Sequence, residues 1–217
     1  MTAGSVDSSI EFGDPPLDAR PDSPPPAVTV TFGERPGADH TGVTIDTWVD
    51  SSNAAINHGT DVGLYMDASP TVNSLLRFDL TALPPGTNVT ASELVLATTT
   101  DSLPNGTVRI HPVLESWGEL SATWTNRVTG TAWTTAGASA PGSQGAQLLG
   151  EFFPNVDLAP WTVPFDVATI RGWIDVPTSN RGMVMISTSS TGNGVTFSSS
   201  NDPAAGARPL LRITYQP

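Results

Sequence analysis

From Val28 onward, apolar and polar residues alternate in short runs, and each run ends at Gly, Pro, Asn, Asp or Ser. A period of two sends successive side chains to opposite faces of an extended chain, so each run reads as a strand with one face buried. The runs predict strands over Val28–Phe32, Val43–Val49, Val62–Asp67, Ser74–Leu80, Ser92–Thr98, Thr107–Leu114, Pro160–Phe165, Gly182–Ser187, Val195–Ser198 and Pro209–Tyr215. No series of helices lies between them, which excludes a parallel α/β sheet and leaves packed antiparallel sheets. One helix is predicted after Asp166, a side chain suited to capping, because Val167, Ile170, Trp173 and Ile174 share a helical face and Pro177 ends the pattern. The expected fold is therefore all-β: a jelly-roll β-sandwich of two antiparallel sheets with one short helix, spanning residues 27–217.

The stretch before it has a different texture. Residues 13–26 read GDPPLDARPDSPPP, with almost nothing to bury and with prolines that favour extended backbone. Residues 1–26 are expected to be a disordered acidic and proline-rich arm or linker. Met1–Phe12 lacks the basic start and apolar run of a signal peptide, so any export signal is expected to have been removed or replaced.

Charge and cysteine content narrow the partners. All nine basic residues are Arg, and against 21 acidic residues they leave a formal net charge of −12, which repels nucleic acid and acidic membrane surfaces. No apolar run approaches the roughly 20 residues of a membrane helix, so membrane insertion is not expected. With no cysteine, neither disulfides nor a Cys-built zinc site can brace the fold.

Hydrolytic chemistry needs a nucleophile with its base, a carboxylate pair in a cleft, or a metal-bound water. His40, His58 and His111 are isolated, and HExxH, GxSxG and phosphate-loop patterns are absent. Glu115 and Glu119 flank Trp117 in the manner of a glycosidase pair, but their segment reads as an architectural corner, so both are expected to anchor loops. The chain is not expected to be an enzyme.

Four blocks stand in order: SLLRFDLTALPPG at 74–86, ESWGELSATWTNR at 115–127, FDVATIRGWID at 165–175 and ARPLLRITY at 207–215. Together they resemble the DNRLRE domain, the type described as carbohydrate-binding module family 96 and related to repeats in archaeal disaggregatases. DTWVDSS, NHG and LYMD, between Asp46 and Asp67, fit the family's opening strands, with Trp48 where a tyrosine is usual. The resemblance spans about residues 43–217. It implies a non-catalytic module of a secreted or cell-surface protein that binds polysaccharide, acidic or neutral. The alternative is a structural or adhesive module joining copies or domains of an extracellular assembly.

Strand parity then suggests a site. With Leu64, Met66, Leu76, Phe78, Val108 and Ile110 facing inward, Tyr65, Arg77, Arg109 and His111 face outward, an aromatic and basic set suited to stacking on a sugar and holding its polar groups. If Val62–Asp67 and Ser74–Leu80 form a hairpin with a connection over Ala68–Asn73, Met66 opposes Leu76 and Tyr65 opposes Arg77. Trp133 and Trp161, in Thr-, Gly- and Pro-rich surroundings, are alternative loop-borne platforms. Trp124 and Phe78 are expected inside the core. Jelly-roll carbohydrate-binding modules often carry a structural calcium, and Asp50, Asn57 and Asp61 offer hard oxygen ligands around one loop.

Overall fold

A computed structural model describes residues 1, 4, 24–99, 106–188 and 194–217. Apart from the few positions just named, the arm expected over residues 1–26 lies outside the described residues. In chain order the strands are β1 Val28–Gly33, β2 Thr44–Asp50, β3 Gly63–Ala68, β4 Thr71–Phe78, β5 Asn88–Ala97, β6 Val108–Pro112, β7 Asn126–Val128, β8 Thr131–Ala132, β9 Gly150–Phe152, β10 Pro160–Pro164, β11 Met183–Ser187, β12 Val195–Ser198 and β13 Leu210–Gln216. The helix α1, Val167–Asp175, starts where Asp166 Oδ2 accepts the Thr169 amide at 2.7 Å. Capping by this carboxylate satisfies one of the orphan amides of the first turn.

All ten expected strands are present within a few residues. The chain is all-β, with antiparallel pairing throughout its named strands. One sheet has four strands in the order β1-β13-β5-β10; the other runs β12-β3-β4-β11-β6-β9, with β2 also on β4. Leu76 pairs with Met183 of β11 and with Asp46 of β2, so these two strands flank β4 on opposite edges. The two sheets enclose one apolar core: Phe32, Leu94, Leu96, Val163, Leu211 and Ile213 meet Leu64, Met66, Leu76, Phe78, Ile110, Met185 and Phe197. Ile170, Trp173 and Ile174 of α1 close it at one end, as the helical face predicts.

The outer face of the larger sheet departs from expectation, because over β2, β4 and β11 it is covered by another segment. The long connection after β6 folds back over it and builds a second apolar cluster, in which Val49, Leu75 and Val184 meet Val113, Trp117, Ala122, Trp133 and Ala138. Leu75 and Leu76, adjacent on β4, are both 0% exposed, one in each cluster. The strands β7, β8 and β9 within this connection have only two or three residues each, too few to show an alternation. Phe78 is buried as expected. Trp124, expected inside, is half-buried instead; its ring covers Gly137, where an added Cβ would lie 2.3 Å from the indole.

The hairpin register also differs. Asp67 pairs with Val72 and Ala68 with Thr71, so Ser69–Pro70 is the whole turn. A six-residue connection is replaced by two, and the partner of Leu76 on that edge is β11 rather than β3.

On β2, the Asp46 carboxyl is buried at 1% exposure and accepts the Ser200 amide at 2.7 Å, tying the strand to the chain after β12. Burial pushes its pKa up to about 7, with Glu119 and Glu34 adding repulsion and the Ser200 hydrogen bonds opposing. A carboxyl that holds its proton more tightly when folded gives stability that is full below the unfolded pKa near 4 and is lost as pH rises through about 7.

Two outcomes follow in denaturant titrations. Leu75→Ala is expected to destabilise by about 2–5 kcal/mol, as Leu76→Ala does, because each empties a packed apolar site; a loss below about 1 kcal/mol for Leu75 alone would show that its face is open. Stability of the wild type should fall between pH 4 and pH 8 by on the order of a few kcal/mol, and Asp46→Asn should flatten that slope. An unchanged slope in the variant would remove Asp46 as its cause.

Candidate functional site

The loop from Ser51 to Val62 brings β2 and β3 together around a cleft of about 510 Å³ whose lining includes Trp48, Thr60, Asp61, Gly63, Tyr65 and Thr196. Trp48 is its centre. The indole stacks on the His58 imidazole with centroids 3.4 Å apart and planes 14° apart, and meets Tyr65 edge-on at 5.9 Å. Its Nε1 donates to Asp61 Oδ2 at 3.1 Å, and the same oxygen lies 2.9 Å from His58 Nδ1. One carboxylate oxygen thus fixes both rings of the stack.

Tyr65 is similarly held. Its hydroxyl donates to Asp67 Oδ2 at 3.4 Å, and its ring lies so close to Gly194 that a Cβ there would come within 2.3 Å of the hydroxyl. Burial, then the neighbouring Asp67 carboxylate, raises the phenol pKa, so the ring stays neutral. The arrangement is a pair of ring surfaces beside a carboxylate and hydroxyl groups, a combination that can take an apolar face and several hydroxyls of one ligand.

Of the residues singled out from the sequence, only Tyr65 and Asp61 line this cleft. Arg77 is not the cross-strand neighbour of Tyr65: it pairs with Ile45 on β2 and sits half-buried with its guanidinium carbon 6.0 Å from the Trp117 ring centroid. The cause is the shortened hairpin, which moves β3 past Val72 and leaves the Arg77 edge to other strands. Arg109 forms an exposed ion pair with Glu151 at 3.4 Å. His111 Nδ1 lies 2.8 Å from the Gln147 carbonyl. Trp133 is no loop platform: it is buried in the second cluster, and its Nε1 donates to the Thr123 carbonyl at 2.9 Å. Trp161 lies on β10, half-buried against the main core and 6.0 Å from Phe152.

The proposed calcium loop is closed by its own hydrogen bonds. Asp50 accepts from the Ser52 amide at 2.7 Å and from Asn53 Nδ2 at 2.6 Å; Asn57 Nδ2 donates to the carbonyls of Glu119 and Ala122, each at 2.7 Å. Asp61 serves the Trp48–His58 stack. Each oxygen set is directed at a different partner, and among the described residues no cluster of three or more acidic or histidine side chains is placed to hold a metal. Glu115 and Glu119 anchor loops: Glu115 takes the Thr134 amide at 3.1 Å, the Thr134 hydroxyl at 3.0 Å and the Ser143 hydroxyl, while Glu119 takes the Asp46 amide at 3.1 Å. These hydrogen bonds, with Arg127 nearby, hold Glu115 below the usual carboxylate range despite its partial burial.

Trp48, His58 and Thr196 were not singled out as ligand residues. Trp48 carried a signal, as a large ring in a strand facing a Gly- and Asn-rich loop; Thr196 carried none, since only the β12–β3 register opposite Tyr65 brings it there. No curated protein matches this chain. From residue 39 to residue 143, a span that includes Trp48, His58, Asp61, Tyr65 and much of the second apolar cluster, the chain matches the model of carbohydrate-binding module family 96, the family type that its sequence blocks resemble.

Proposed function

We propose that the chain is a non-catalytic carbohydrate-binding module that holds a segment of polysaccharide in the Trp48–Tyr65 cleft. The carrying observation is the fixed ring pair: Trp48 is braced on one face by His58 and tethered at Nε1 by Asp61, beside the edge-on Tyr65. A sugar presents C–H groups on its ring faces and hydroxyls on its rim, so it needs a flat apolar surface with hydrogen-bonding groups around it. Pre-set rings lose little conformational freedom on binding, which leaves more of the contact energy as affinity.

The family match over residues 39–143 supports this reading, as does the commitment of Glu115 and Glu119 to loop hydrogen bonds rather than to a paired cleft. Such a module works on polysaccharide outside the cell or at its surface. The cleft binds whole sugar units by shape and hydroxyl pattern and leaves the glycosidic bond intact.

Affinity electrophoresis and calorimetry against a panel of neutral and acidic polysaccharides test the proposal. The wild type should bind at least one member, and Tyr65→Ala should weaken that binding about tenfold or more while the thermal midpoint stays within a few degrees, as for a central ring at a binding surface. Silence across the panel together with concentration-dependent self-association would replace this reading with the structural, adhesive one. Binding that survives Tyr65→Ala unchanged would move the site elsewhere.

A further inference from the structure

A second cleft, of about 440 Å³, opens where the ends of β5, β10 and β12 meet the turn before β13; Arg35, Leu158, Ser198 and Asp202 are among its lining residues. Three features distinguish it from ordinary surface. Arg35 is half-buried, yet no carboxylate lies in ion-pair range of it among the described residues; its Nε donates to the Arg208 carbonyl and its Nη2 to the Ala207 carbonyl at 3.4 Å, which fixes the guanidinium without neutralising it. Burial and the nearby Arg212 lower its pKa, the direction expected of a cation held out of water without a counter-charge. Asp202 lines the same cleft, with Oδ1 accepting the Ala204 amide at 2.7 Å. Leu158, at the rim, is 71% exposed with φ 50°, a left-handed backbone that a leucine adopts only at an energetic penalty.

Both clefts border β12, the second through the buried Ser198. On β12 and β3, Thr196 pairs with Tyr65 and Ser198 with Gly63, while Phe197 and Leu64 turn into the core. Tyr65, Gly63 and Thr196 line the first cleft, and Ser198 lines the second. Thr196 and Ser198 lie two residues apart on one strand, about 7 Å. Between them Gly63 has no side chain; a Cβ there would come within 2.8 Å of Thr196 Cγ2.

Building on the proposed function, we infer that the second cleft is a further subsite for the same glycan chain, so that the ligand is an extended oligosaccharide running across β12 from the Trp48–Tyr65 rings to Arg35 and Asp202. Guanidinium donors and a carboxylate acceptor lining one cleft can hold neighbouring hydroxyls of one sugar, and Leu158 offers an apolar contact there. Arg35, Leu158, Ser198 and Asp202 lie outside the 39–143 family match, whereas Ala97, Thr98 and Thr99 of the same cleft lie within it.

Calorimetry with a disaccharide, a tetrasaccharide and a hexasaccharide from neutral glucan and polyuronate series tests this. The wild type should bind the hexasaccharide of one series about tenfold or more tightly than its disaccharide. Asp202→Asn, which retains an acceptor for the Ala204 amide, and Leu158→Gly, which accepts the left-handed backbone, should each reduce that chain-length gain to less than about twofold. Equal affinity for short and long chains, or a gain that both variants keep, would overturn the second subsite while leaving the Trp48 cleft in place. If the wild type binds no member of either series, both readings fall together.

Discussion

The structure depends on the burial of β4 from both sides. Leu76 and Phe78 face the space between the sheets, and Leu75 faces the second cluster under Trp117 and Trp133. A strand in an antiparallel sandwich can leave one face wet; here the connection after β6 dries the other, and β2 and β11 are sealed along with it through Val49 and Val184. Because β2 is paired along β4 and anchored by Val49 in the second cluster, its Trp48 is held on a strand rather than on a loop. The same burial leaves no open surface for a glycan over β2, β4 and β11 at the centre of that face.

With no cysteine to staple the long connections, side-chain hydrogen bonds close them. Glu34 receives the amides of Gly42, Val43 and Thr44, Glu115 holds the Thr134–Ser143 segment, and Asn57 joins the first loop to the corner at Glu119 and Ala122. Hydrogen bonds to a carboxylate satisfy several backbone donors at once, which is why buried or half-buried acidic groups here read as structure before chemistry. Asp61 is the acid that shapes the cleft, since it holds Trp48, which lines it, and His58, which backs the Trp48 ring. In this fold the machinery that closes loops and the machinery that shapes the cleft are continuous.

Much of the architecture was legible in the sequence because it rests on local rules. Strand alternation placed the inward residues of β3, β4 and β6 correctly, and the Asp166 cap with its apolar stripe located α1. What parity cannot show is whether an outward face meets water or another segment: Leu75, Trp133 and Trp117 acquire their roles from a connection distant in sequence. The pairing of Tyr65 with Arg77 failed for a related reason, since a Ser–Pro turn of two residues shifts every cross-strand partner and lets β11 take the place assigned to β3. The cleft itself joins residues from β2, β3, β12 and one loop, a convergence that exists only in three dimensions.

The most direct test of the account is a two-dimensional NMR titration that follows the indole N–H signals of the six tryptophans while an oligosaccharide of a bound polysaccharide is added. The Trp48 signal should shift in a saturable way, while those of Trp117 and Trp133, whose N–H groups donate to the Arg181 and Thr123 carbonyls inside the second cluster, should stay in place. A saturable shift of Trp117 or Trp133 with an unmoved Trp48 would contradict it, because the ligand would then be entering the layer described here as structural.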